Sequence, residues 1–96
     1  MPSVDLTPAL TNEQAEKVAT DHFQMLGVPD TQLTGSEPLG LRISTDHNNT
    51  AHLVWNFEMT RTQKIGPKDQ EFDVKEYALV SVDAHDGTII WSAPFG

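Results

Sequence analysis

Residues 76–92, Glu-Tyr-Ala-Leu-Val-Ser-Val-Asp-Ala-His-Asp-Gly-Thr-Ile-Ile-Trp-Ser, constrain the fold of this chain more than any other stretch. β-Branched and aromatic residues crowd both sides of Asp83–Gly87, and Asp and Gly are the residues a tight turn selects. The stretch therefore reads as strand, turn and strand, with Asp83 and Gly87 as structural turn residues. A second apolar alternating run, Ala51-His-Leu-Val-Trp-Asn-Phe-Glu-Met59, lies upstream. One of its faces carries Ala51, Leu53, Trp55, Phe57 and Met59, and the other carries His52, Val54, Asn56, Glu58 and Thr60. Only the first set is wholly apolar, so that side is expected to meet a covering element.

The covering element is legible near the N-terminus. Thr11-Asn-Glu-Gln14 has the form of a capping box, with Leu10 ahead of it as a hydrophobic staple. Ala15, Val18, Ala19, His22, Phe23 and Leu26 then recur at helical spacing. Glu13 and Lys17 stand as an i,i+4 pair of the favoured order. Gly27 is a natural stop and Pro29 prevents resumption, so a helix is predicted over about residues 12–26. A polar loop is expected to about residue 37. Leu39, Leu41 and Ile43 then alternate with Gly40, Arg42 and Ser44 as a half-buried strand. Asp46-His-Asn-Asn49 is turn chemistry. Strands follow at about 51–61, 74–83 and 88–92, and 62–73 is either a loop or the extended tip of a hairpin.

Four short strands joined by turns make an antiparallel meander, which needs a helix over its apolar face to be stable. The predicted fold is α+β: one N-terminal helix on one face of a four-stranded sheet. It occupies residues 11–92 as a single domain, between a flexible lead-in (1–10) and a C-terminal stub (93–96). The opposite face would carry His52, Val54, Asn56, Glu58, Tyr77, Leu79 and Ser81. Two arrangements are open for this mixed set. It forms an exposed stripe for a protein partner or a weak homodimer, or the N-terminal segment with Val4 and Leu6 folds over it.

Composition narrows the classes of function. Fourteen acidic residues against six basic ones give a net charge of −8. Nucleic-acid binding rests on Lys and Arg neutralising phosphates, so this balance argues against it, and against anionic membrane surfaces. No apolar run approaches the roughly 20 residues of a membrane helix. Met1–Asp5 has neither the basic start nor the apolar stretch of a secretory leader. The chain has no cysteine, which removes disulfides, thiolate catalysis and Cys-based zinc sites.

No motif for catalysis emerges. The four histidines, His22, His47, His52 and His85, form no HExxH pair, and no acidic–histidine cluster has ligand spacing. His22 belongs to the helix's apolar stripe, His47 and His85 fall in solvated turns, and His52 is on the open face. There is no GxSxG elbow and no glycine-rich phosphate cradle. Asp83 and Asp86 are accounted for by the turn they flank. Trp55 shares a face with Leu53 and Phe57 and reads as core, and Trp91 lies near the end of the last strand. Asn48-Asn49-Thr50 matches a glycosylation sequon. No catalytic residue, metal or other cofactor is expected.

Three pieces, in order, resemble the PepSY domain and the related fungalysin/thermolysin propeptide motif. They are Leu10-Thr-Asn-Glu-Gln-Ala-Glu-Lys-Val-Ala19, Ala51-His-Leu-Val-Trp55 and Val82-Asp-Ala-His-Asp-Gly-Thr-Ile-Ile90, together spanning most of the chain. The resemblance implies a helix packed on an antiparallel sheet, similar to cystatin-like architecture. It implies a non-enzymatic, secreted or bacterial-envelope domain that inhibits, modulates or chaperones a thermolysin-like metalloprotease. A separate alternative, of a different class, is an envelope interaction or sensor module with no protease partner.

Overall fold

The computed structural model describes residues 4–95. Its elements are α1 (Asn12–Met25), a 3₁₀ turn (Asp30–Gln32), β1 (Leu33–Thr45), β2 (Ala51–Ile65), β3 (Phe72–Asp83) and β4 (Ile89–Ala93). Residues 1–3 of the expected lead-in and Gly96 of the expected stub lie outside the described residues. One helix packed on a four-stranded antiparallel sheet is the α+β arrangement the periodicities predict.

Local chemistry sets both ends of α1. The Thr11 hydroxyl accepts from the Gln14 amide (3.2 Å), and the Gln14 side chain accepts from the Thr11 amide (2.8 Å), completing the capping box. At the other end, Gly27 adopts a left-handed backbone (φ 95°), and the Val28 amide bonds back to the Phe23 carbonyl at 3.1 Å. This Schellman-type turn drops Val28 into the core beside Phe23. Two expectations about the helix are corrected. Leu26 is the C-cap and stays 65% exposed, because the chain turns at Gly27 immediately after it and Val28 takes the core position instead. Lys17 pairs with Asp21 (3.0 Å) rather than Glu13, one helical turn on instead of one turn back. That pair is exposed and contributes little.

The strands lie in the order β1-β2-β3-β4, each antiparallel to the next. Ala15, Ala19 and Phe23 from α1 meet Phe57 and Met59 from β2 and Ala78, Val80 and Val82 from β3 in one buried cluster, with Trp55 packed against it. Period-2 alternation then turns His52, Val54, Asn56, Glu58, Tyr77, Leu79 and Ser81 toward the other side.

β1 begins at Leu33, well before the expected Leu39. Gly35 and Pro38 signal a loop in sequence, but β1 is an edge strand. Its register slips between Leu33 and Gly35 and between Pro38 and Gly40, and such bulges accommodate residues that an inner strand would reject. The segment 62–73 is the extended tip of a hairpin: pairing of β2 with β3 continues out to Ile65 opposite Phe72. The molecule is accordingly long, 60 × 24 × 20 Å.

The residues preceding α1 run along the end of the sheet. The amides of Ala9 and Leu10 both donate to the Ala84 carbonyl (2.9 and 2.8 Å), and the Trp55 indole donates to the Leu10 carbonyl at 3.0 Å. His85 lies in the β3–β4 turn, as expected, but is less solvated than its position suggests. It is half-buried, with Nε2 3.0 Å from the Thr7 carbonyl. At the other terminus Phe95 folds back on the helix face, its ring 5.0 Å from that of Phe23.

Candidate functional site

The sheet face opposite α1 is left open, and its shape follows from the register. One cross-strand row runs Gly40–Asn56–Ser81–Trp91 over all four strands. Gly40, at the β1 end of the row, has no side chain and Ser81 a short one, so the row is low at both positions and rises at Trp91. The Ser81 hydroxyl donates to the Asn56 side-chain carbonyl and ties down the floor. Leu39, Arg42, Leu79 and Trp91 stand around it, enclosing a cavity of about 410 Å³. Tyr77, Leu79 and Trp91 remain 49%, 39% and 51% exposed. Leu79 lies two residues from Tyr77 on the same face and diagonal to Trp91, so the three form one patch rather than scattered exposures.

The residues expected on this face divide into three groups. Asn56, Glu58, Tyr77 and Leu79 belong to it, and Tyr77 and Leu79 supply apolar surface. Val54 shares the strand face but is fully buried and presents nothing to a partner. His52 is drawn into a cluster at the sheet's end. Thr7, Ala9 and Leu10 of the N-terminal segment hydrogen-bond to His85, Ala84 and Trp55 at the end of the sheet, and Leu6 stays 69% exposed. Trp91 is the member that sequence reasoning left unassigned. Two β-branched residues before it mark a strand, but its place opposite Ser81 follows only from the β3–β4 register, which shifts between Ser81 and Val82.

The cluster around His52 joins two turns. Its Nδ1 lies 2.8 Å from Asp83 Oδ2 and its Nε2 lies 2.8 Å from Asp46 Oδ2. Carboxylates only accept, so both ring nitrogens are satisfied only when both carry hydrogen, which is the imidazolium form. Asp46 draws the His52 pKa upward first, and Asp83 adds to this against the opposing effect of burial. The same bond to His52, with backbone amides of Thr50 and Asn48, holds the Asp46 carboxyl below its ordinary value. Asp86 is also lowered, chiefly by the Thr88 amide.

Asp83 is the buried member, and its second oxygen accepts from the amides of His85 (2.7 Å) and Asp86 (3.3 Å). Gly87, at φ 80°, closes the turn with its amide on the Asp83 carbonyl at 3.0 Å. Asp83 and Gly87 thus both sit in the β3–β4 turn, and Asp83 also clasps that turn to the β1–β2 turn through His52.

Among the described residues no group of three or more His, Asp or Glu side chains is arranged to hold a metal ion. No helix there is long and apolar enough to cross a membrane. No family model matches the chain, and no curated protein or solved structure matches it either.

Proposed function

We propose that this chain is a non-enzymatic protein-binding domain of PepSY type, which docks a partner on the open sheet face. The single observation that carries the reading is the contiguous exposed patch of Tyr77, Leu79 and Trp91, set beside a groove on the sheet face opposite α1. Exposed apolar surface of this kind is uncommon on a small soluble domain unless something else covers it part of the time. The partner class comes from the resemblance of Leu10–Ala19, Ala51–Trp55 and Val82–Ile90 to the propeptides of thermolysin-like metalloproteases, in a secreted or bacterial-envelope setting. Inhibition or modulation of such a protease is the activity proposed, with the acidic surface complementing basic groups on the enzyme. The test is to mix the domain with several thermolysin-like metalloproteases and follow residual peptidase activity. A saturable fall in activity is expected, and unchanged activity at micromolar excess across the set would refute it.

A further inference from the structure

The open groove has a polarity that defines its ligand more narrowly than a patch of apolar surface does. Arg42 is the only cation lining it, and among the described residues Arg42 has no carboxylate partner. The other cations lie elsewhere: Lys17 is on α1 and paired with Asp21, Arg61 is paired with Glu76 at 2.6 Å, and Lys64, Lys68 and Lys75 belong to the projecting hairpin. An unpaired Arg is notable in a chain with a net charge of −8, where carboxylates outnumber cations more than two to one. Asn56 spends its carbonyl on the Ser81 hydroxyl, so its amide N–H groups are left to donate into the groove. The groove therefore offers donors toward β1 and apolar surface toward β3 and β4. Glu37 and Glu58 pair across strands in the neighbouring row and would repel an anion placed there, which directs it to Arg42.

We propose that this groove takes a polypeptide segment that sets an apolar side chain against Trp91 and Leu79 and a carboxylate against Arg42. The proposal rests on the reading of the open face as a docking surface and names what docks. Three strand spacings separate β1 from β4, roughly 14 Å in all. Arg42 and Trp91 both line the groove, and side chains of their length take up part of that span, leaving on the order of 7 Å, about two residues of extended chain. The ligand is thus an extended segment with an apolar residue and Asp or Glu two positions apart. Those two side chains share one face of an extended backbone, as the groove requires.

The probes are fluorescein-labelled, C-terminally amidated heptapeptides with a central Leu and either Glu or Lys two positions on, measured by fluorescence polarisation. The Glu peptide is expected to bind about fivefold or more tightly than the Lys peptide. Arg42→Glu should reverse that order, and Trp91→Ala should abolish binding of both. Lys17→Glu makes the same charge change on the far side and should leave the order intact; circular dichroism confirms that each variant is folded. Equal affinity for the two peptides, lost in Trp91→Ala, overturns the ligand class while the docking surface stands. No measurable binding, or binding that survives Trp91→Ala combined with Leu79→Ser, overturns both. If 4-phenylbutanoate binds as tightly as the better peptide, the ligand is a small carboxylate and the polypeptide proposal falls.

Discussion

Replacing His52 with Gln tests the clasp between the two turns, because Gln can donate a hydrogen bond but carries no charge at any pH. In the folded chain His52 bridges Asp46 and the buried Asp83, each at 2.8 Å. A hydrogen bond to a charged group contributes about 1.5–3 kcal/mol, and the partial exposure of His52 together with the donor kept by Gln lowers the expected loss to about 1–2 kcal/mol. For a domain of this size that corresponds to a melting temperature lower by about 4–16 °C. The sign of the pH dependence follows from the direction of the shift. The His52 pKa is raised above its ordinary 6.5. Its contribution is therefore complete below 6.5 and disappears as pH rises through the higher folded value. The Asp46 pKa is lowered from 3.8, so its contribution is present above that value and disappears as pH falls through the lower folded one. The gap between wild type and His52→Gln, measured by urea unfolding, should be widest near pH 5–6 and shrink toward pH 9. A gap that stays constant from pH 5 to pH 9 would refute the imidazolium assignment.

The core and the second turn give further expectations. Phe57 is fully buried between sheet and helix, and Phe57→Ala should cost about 3–5 kcal/mol in urea unfolding, a large share of the stability of any small domain. Gly87→Ala should cost about 1–2 kcal/mol, because a Cβ there meets Leu10 and Val18 only at ordinary contact distances, so the loss is that of the left-handed backbone. A neutral result in thermal unfolding would show that the β3–β4 turn relaxes around the new side chain.

Local chemistry made much of the fold legible. Thr11 and Gln14 announced the start of α1, Gly27 its end, and alternation along β2 and β3 separated the covered face from the open one. The errors arose where tertiary context overrides a local signal. Gly35 and Pro38 look like breakers but are tolerated in a bulged edge strand. Leu26 continues the helical stripe in sequence, yet the turn at Gly27 hands its place to Val28. The open-face patch was half visible, in Tyr77 and Leu79, while Trp91 needed the β3–β4 register to join them. The clasp was not visible at all. His52 lies 31 positions from Asp83, and a contact at that separation leaves no periodicity to read.

The central claim is that the helix seals one side of the sheet and the other side does the recognising. It is tested most directly by comparing two double variants for inhibition of a thermolysin-like metalloprotease that the wild-type domain inhibits. Leu79→Ser with Trp91→Ser alters the open face, while Met25→Ser with Leu26→Ser alters still more exposed apolar residues at the end of the helix. The account predicts that the first pair weakens inhibition at least tenfold at an unchanged melting temperature and that the second leaves it intact. Inhibition lost in the helix variant and kept in the sheet variant would contradict it.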